Sequence, residues 1–173
     1  MKVNNTNLAD DFISNALFRL DESMRMITTS LQFLDETTIW KKPNSASNSV
    51  GNIMVHLCGN ISQYILSGLA GQEDTRNRDQ EFLISGGFNK TALQDKLQKV
   101  IEAAKEVIQN STPEQLLKQY TVQGFQLSGM GIVIHVVEHL SYHTGQLAYC
   151  TKLIKDQDLG FYDGFDLNIK NES

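Results

Sequence analysis

The sequence predicts an all-α fold, a single domain whose core is a bundle of four long helices. Apolar residues recur at spacings of three and four along four long segments, and few segments show the alternation of a strand. The chain has 173 residues, close to the ~150 residues of one domain. At 40% apolar it holds enough side chains for a core. We therefore expect one domain over residues 1–173, with 166–173 as a frayed tail.

The first two helices have clear capping signals. Asn7 or Asp10 can accept the hydrogen bonds that begin a helix, and the apolar spacing then continues to near Asp35. A polar, serine- and asparagine-rich stretch supplies the cap of the second helix, which we place at 49–67. Two glycines follow and end it.

The second half of the chain begins with a long connection at 71–87, which is charged and then rich in glycine. It is long for a tight hairpin, so we expect it to cross the molecule and to let the second and third helices run parallel. The third and fourth helices are predicted at 91–109 and at about 128–155. Between them we expect a turn or the start of a one-turn helix at 111–114, and a weakly alternating, extended segment at 120–127.

Composition excludes several classes of function. A net charge of −5 offers no basic face, so we expect no nucleic-acid partner. No run of ~18 apolar residues is present, so we expect no membrane span. Met1 to Asp11 is polar and lacks a signal-peptide pattern, which favours a cytoplasmic protein. Cys58 and Cys150 lie far apart, as expected of free thiols in a reducing compartment.

The four histidines, at positions 56, 135, 139 and 143, all fall in predicted helices. The last three are spaced by four residues and form one stripe along a helix. His135 and His143 are ~12 Å apart along the axis, too far to share one metal ion. The usable pair is therefore either His135 with His139 or His139 with His143, and His56 can add a third ligand from another helix. Three neutral imidazoles with an open position are typical of a catalytic site for a divalent metal such as Zn²⁺, Ni²⁺ or Fe²⁺.

A second pattern overlaps this stripe. His135, Glu138 and His139 form the H-x-x-E-H sequence of inverted zincins, in which the glutamate is the general base. The chain is short for such a peptidase, and no downstream carboxylate ligand is identifiable. A zincin-like peptidase is therefore a minor hypothesis.

Two segments carry a resemblance to a known family. Residues 136–147, VVEHLSYHTGQL, resemble the H-x-x-x-H-x-G-Q signature on the last helix of the DinB/YfiT-like superfamily. Residues 48–60, NSVGNIMVHLCGN, resemble its second helix with a single metal-binding histidine. The segments 40–43 and 76–82 fit a subgroup that is uncharacterised, and the resemblance covers nearly the whole chain.

The resemblance implies an up-down-down-up four-helix bundle with His56, His139 and His143 as metal ligands. Characterised members of the superfamily include thiol-dependent S-transferases, which use low-molecular-weight thiols such as bacillithiol. It therefore implies a metal-dependent transferase or hydrolase that acts on a small molecule through a metal-activated thiol or water. The alternative is a non-catalytic module that binds a metal or small ligand during stress.

Five further side chains are expected near the metal, as pocket lining or as partners of the ligands, because each lies about one helical turn from a ligand. They are Gln146, Tyr142, Asn52, Asn60 and His135. Arg76 and Arg78 are candidates for binding a carboxylate of the substrate or thiol. Helical bundles of this kind often pair through a helix face, so we also expect a homodimer.

Overall fold

A computed structural model describes residues 7–171. These residues form six α-helices, a π-helical segment and a two-stranded sheet. In chain order the elements are α1 (Leu8–Phe33), α2 (Val50–Ile61), the π-helical segment (Ser62–Leu69), α3 (Arg78–Leu83), α4 (Lys90–Gln109), α5 (Pro113–Leu117), β1 (Gln119–Val122), β2 (Phe125–Ser128) and α6 (Gly129–Lys155). Our expectations for residues 1–6 and for the last two residues of the tail lie outside this described part.

The long helices share one apolar core. α1 packs against α6 and α4, and α2 with its π-helical continuation packs against the same two helices. Fully buried side chains come from all four segments and include Leu20, Ile27, Met54, Leu57, Leu97, Ile101, Val136 and Leu140. The prediction of a mostly helical fold is thus confirmed. Within 7–171, none of the helices is both long and apolar enough to cross a membrane.

The helix starts follow the capping signals. The Asn7 side chain accepts a hydrogen bond from the backbone of Asp10 at 3.0 Å, which begins α1. Ser49 and Asn52 form a reciprocal capping box at the start of α2. Gly71, with a φ of 76°, follows the π-helical segment. The second predicted helix is therefore present, although its last turns are wound as a π-helix.

An antiparallel hairpin corrects the all-α prediction. Tyr120 pairs with Leu127 across β1 and β2, and the turn between the strands has positive φ at Gln123 and Gly124. Each strand has only four residues, too short for alternation to decide the structure from sequence. Val122 is buried against the π-helical segment.

The connection at 71–87 contains a helix that the sequence did not predict. α3 is six residues long and begins at Asn77, whose side chain accepts from the backbone of Gln80 at 3.4 Å. So short a helix leaves too few apolar repeats to be recognised. Since α3 packs against α2, it brings part of the connection to the histidine that α2 carries.

Candidate metal site

Three of the four histidines meet between α2 and α6. His56, from α2, and the pair His139 and His143, from α6, each offer a ring nitrogen, and these atoms lie within 4.8 Å of one another. The Nε2 atoms of His56 and His139 are 3.2 Å apart. The i, i+4 spacing places the two α6 rings side by side, with centroids 4.5 Å apart. We refer to these three residues as the histidine cluster.

Glu81 fixes the ring of His56. Its Oε2 lies 2.8 Å from His56 Nδ1, and its side chain is 6% exposed. The carboxylate accepts the Nδ1 proton, so His56 Nε2 carries a lone pair directed at the cluster. A carboxylate on the outer nitrogen is the usual way of orienting a metal-binding histidine. Glu81 belongs to α3, and the sequence did not single it out.

Arg76 holds the Glu81 carboxylate in place. Arg76 Nε donates to Glu81 Oε1 at 2.7 Å and Nη2 donates to Oε2 at 3.0 Å, while Nη1 donates to Gln63 Oε1 at 2.8 Å. Burial alone would raise the pKa of Glu81, but its hydrogen bonds with His56 and Arg76 lower the pKa below its usual value. The Arg76 side chain is 4% exposed and gives three of its five N–H groups to Glu81 and Gln63, so its observed role is to hold Glu81. Binding of a substrate carboxylate by Arg76 stays a prediction.

Two residues of α2 make room for this arrangement and anchor it. A methyl group at Gly59 would overlap the Glu81 carboxylate, so only glycine lets α3 approach so closely. Asn52 donates to the backbone oxygens of Glu81 at 3.0 Å and Ile84 at 2.7 Å, and its own oxygen caps α2. Asn52 therefore positions α3 and reaches the cluster only through Glu81. A glycine inside a helix, three residues after a histidine, was the available sequence signal for this contact.

Gln146 orients the ring of His143, as Glu81 orients the ring of His56. His143 Nδ1 lies 2.7 Å from Gln146 Oε1, which accepts its proton and leaves Nε2 free to act as an acceptor. The structure thus brings Gln146 to the cluster, as expected. Tyr142 is 62% exposed and contacts His143 edge-on, with ring centroids 5.0 Å apart.

The α6 histidines are held neutral. Burial, followed by the neighbouring His143, His56 and His135, lowers the pKa of His139 to about 3. Burial also lowers the pKa of His143. Neutral imidazole is the form that binds a metal ion, so the environment favours the ligand state near neutral pH. His139 Nδ1 is buried and has no hydrogen-bond partner among residues 7–171.

His135 lies outside the cluster. Its ring stacks on Tyr64, with centroids 4.0 Å apart, and its Nε2 is 3.3 Å from Asn60 Nδ2. Glu138 is exposed and lines a groove between α1 and α6, whereas the cluster faces α2. The arrangement of the inverted zincin hypothesis is therefore not formed. Of the two histidine pairs that spacing allowed, the structure brings His139 and His143 together with His56.

Phe82 covers one side of the cluster. Its ring lies 4.9 Å from that of His56, and the guanidinium of Arg78 lies 5.0 Å from the Phe82 ring centroid. Like Glu81, Phe82 comes from α3. The sequence marked 71–87 as a connection and 76–82 as part of the family resemblance, but gave no sign that Phe82 contacts α2.

The sequence matches a family described as a protein of unknown function, DUF1572, over residues 7–162. The chain belongs to this family. Among curated proteins, none matches it.

The solved structures that resemble this DUF1572 protein include three from Bacillus and Enterococcus species. A DinB-like protein from Bacillus cereus ATCC 10987 is 17% identical, with a TM-score of 0.64 over 83% of this chain and 90% of that one. A conserved protein from Enterococcus faecalis is 16% identical, with a TM-score of 0.69 over 83% and 97%. The DinB-like protein YjoA from Bacillus subtilis is 14% identical, with a TM-score of 0.61 over 83% and 91%. At these identities the likeness shows a shared fold, and the DinB-like resemblance is confirmed.

The cluster of this DUF1572 protein fits a divalent transition metal. Two of its three rings have their Nδ1 protons bound by Glu81 and Gln146, so their Nε2 lone pairs are available. The donor set is made of imidazoles, which suit Zn²⁺, Ni²⁺ and Fe²⁺. His56, His139 and His143 are therefore the residues that could hold the ion.

Proposed function

We propose that this DUF1572 protein is a metal-dependent enzyme that acts on a small molecule, with one divalent transition metal held by His56, His139 and His143. The observation that carries the proposal is that two of the ligand rings are oriented in the same way. Glu81 accepts a hydrogen bond from Nδ1 of His56, and Gln146 accepts one from Nδ1 of His143. Metal-binding histidines almost always donate the N–H of the outer nitrogen to such an acceptor, which leaves the other nitrogen free for the ion.

A divalent cation with three imidazole ligands and an open position lowers the pKa of a coordinated thiol or water, which supplies a nucleophile at neutral pH. The residues of the chain prepare that chemistry. Glu81 keeps the proton on His56 Nδ1, Arg76 keeps Glu81 ionised, and Phe82 shields one side of His56 from water.

We propose S-transfer with a low-molecular-weight thiol cosubstrate, or hydrolysis, as the reaction class. The resemblance to DinB-like proteins supports this choice, and so do the chain's own thiols. Burial raises the pKa of Cys58 to about 12 and also raises that of Cys150. Neither side chain supplies a thiolate near neutral pH, so the reacting thiol must come from solution.

We also propose the up-down-down-up bundle and a homodimer as the setting of this site. The packing of α2 against both α4 and α6 supports the bundle order. Phe12, Ile134 and Val137 line an apolar groove of about 640 Å³ between α1 and α6, which supports a second copy on this face. Cytoplasmic location stays a prediction.

Turnover tests the proposal. Protein loaded with Zn²⁺, Ni²⁺ or Fe²⁺ is incubated with bacillithiol or cysteine and a panel of small electrophiles, and the loss of free thiol is followed. We expect metal- and thiol-dependent turnover that His56→Gln abolishes. His135→Gln, on the same stripe but outside the cluster, and Cys58→Ser should retain it.

One bound metal per chain without any turnover would overturn the enzyme proposal in favour of the non-catalytic binding module.

A further inference from the structure

Two buried polar atoms beside the histidine cluster lack a hydrogen-bond partner. Within residues 7–171, His139 Nδ1 and Asn60 Oδ1 are the two buried side-chain nitrogen or oxygen atoms without one. Asn60 is only 4% exposed. Nearly all buried polar groups in folded proteins are paired with protein or with ordered water. Two unpaired atoms on residues that both contact His135 therefore point to a shared partner.

Both residues contact His135. Asn60 Nδ2 is 3.3 Å from His135 Nε2, and the His135 ring is 5.5 Å from the ring of His139, one turn further along α6. Asn60 follows His56 by four residues and so lies on the same face of α2. Both unpaired atoms thus belong to the interface between α2 and α6 that holds the cluster.

Their chemistry is complementary. With His139 Nε2 turned toward His56 at 3.2 Å, a metal on Nε2 requires a proton on Nδ1, which is then a donor. Asn60 Oδ1 is an acceptor, and it is turned away from His135 when Asn60 Nδ2 donates to the unprotonated Nε2 of His135. Water both donates and accepts, so one molecule can serve this pair whether or not the metal is present.

We propose that Asn60 is the positioning residue for His139, acting through one buried water molecule that bonds to both His139 Nδ1 and Asn60 Oδ1. This inference rests on the proposed metal site. All three ligands then have an acceptor on the outer nitrogen, namely Glu81, Gln146 and the water held by Asn60.

Zinc affinity tests this role. Competition with a chromophoric chelator is used to measure Zn²⁺ binding by wild type, Asn60→Leu and Asn60→Asp. When a metal-binding histidine loses the hydrogen-bond partner of its outer nitrogen, metal affinity falls by about 10- to 100-fold. We therefore expect a loss of Zn²⁺ affinity in that range for Asn60→Leu. Asn60→Asp keeps an acceptor and should retain most of the affinity, which a purely structural role of the asparagine would not predict. In the zinc complex, ¹⁵N NMR should find the His139 proton on Nδ1.

A crystal structure of the metal-free wild type separates this inference from the metal proposal. We expect density for one water molecule within hydrogen-bond distance of His139 Nδ1 and Asn60 Oδ1. An empty space there, or unchanged zinc affinity in Asn60→Leu, would overturn the inference. If the wild-type protein holds this water but binds no Zn²⁺, the proposed metal site is wrong, whereas the proposed water between His139 and Asn60 stands. If Asn60→Leu does not fold, Asn60→Asp and the wild-type crystal structure still decide.

Discussion

The Glu81 carboxylate lies 2.8 Å from His56 Nδ1, although 25 residues separate the two in sequence. The histidine is part of a long helix, and the glutamate comes from the short helix α3 in the connection that follows it. A candidate metal ligand of the helical core is thus oriented by a connecting segment. The geometry of the cluster therefore depends on how α3 is held against α2.

Replacing Glu81 with leucine tests this dependence. Glu81→Leu leaves His56 Nδ1 without an acceptor and leaves the Arg76 guanidinium, whose side chain is 4% exposed, buried without its partner. We expect Zn²⁺ affinity to fall about 10- to 100-fold. We also expect the free energy of unfolding to fall by about 3–5 kcal/mol, because the remaining charge is uncompensated. Urea unfolding and a zinc competition titration measure the two effects.

The double variant Arg76→Met/Glu81→Leu separates the two effects. It removes both charges, so it should recover much of the stability that Glu81→Leu alone loses. Zinc affinity should stay low, because His56 still lacks its acceptor. Recovery of zinc affinity together with stability would show that Glu81 acts only on folding.

Gly59→Ala tests the close approach of α3. The added methyl group would overlap the Glu81 carboxylate, so the ion pair with Arg76 must shift. We expect a loss of about 1–3 kcal/mol in unfolding free energy and weaker zinc binding. Gly145→Ala is the matched control, because a methyl group there meets nothing within 4 Å and alanine favours a helix. Equal effects of the two substitutions would contradict the account.

The reactivity of the cysteines tests the argument that the reacting thiol comes from solution. Cys58 is 4% exposed, and burial raises its pKa to about 12, so the thiolate is scarce at pH 8. We expect iodoacetamide to leave Cys58 unmodified in the folded protein at pH 8 and to label it fully in urea, as read by mass spectrometry. Rapid labelling of Cys58 in the folded protein would contradict this.

The stability of the metal-free protein should depend on pH through His139. Burial and neighbouring rings lower its pKa from 6.5 to about 3 on folding. As pH falls below 6.5, His139 takes up a proton in the unfolded chain, whereas in the folded chain it stays neutral until about pH 3. The free energy of unfolding therefore decreases as pH falls through this window. The slope is at most about 1.4 kcal/mol per pH unit for each such proton.

Urea unfolding with a chelator present, between pH 7 and pH 5, measures this slope. Lowered carboxylate pKa values such as that of Glu81 act mainly below this range. His139→Gln should reduce the slope, and the part that remains comes from His135 and His143, whose pKa values burial also lowers. A wild type that gains stability as pH falls from 7 to 5 would be inconsistent with a buried, neutral His139.

The parts of the structure that sequence could predict are those with a repeated pattern. The apolar spacing and the caps at Asn7 and Ser49 located the long helices, because each turn repeats the same signal. The four-residue spacing of the α6 histidines left two histidine pairs that could bind one metal ion. The resemblance to DinB-like proteins then pointed to His139 and His143, which the structure brings together with His56.

The parts that sequence could not predict depend on single contacts between distant segments. Glu81 and Phe82 lie in a helix too short for a periodic signal, and their roles follow from where α3 docks. Arg76 has the same charge whether it binds a substrate carboxylate or Glu81, so sequence alone could not distinguish these two roles. The extended segment expected at 120–127 is present, but the pairing of its two halves into a hairpin was not predicted, because each strand has only four residues.

Metal content tests the central claim most directly. The protein is purified without a nickel column, and metals are counted by elemental analysis in wild type, His139→Ala and His135→Ala. Because the three ligands belong to one site, we predict about one divalent transition metal per chain in wild type and in His135→Ala, and close to none in His139→Ala. A wild type without metal that also gains no thermal stability from added Zn²⁺, Ni²⁺ or Fe²⁺ would contradict the claim, and the histidine cluster would then be a packing feature of the α2–α6 interface.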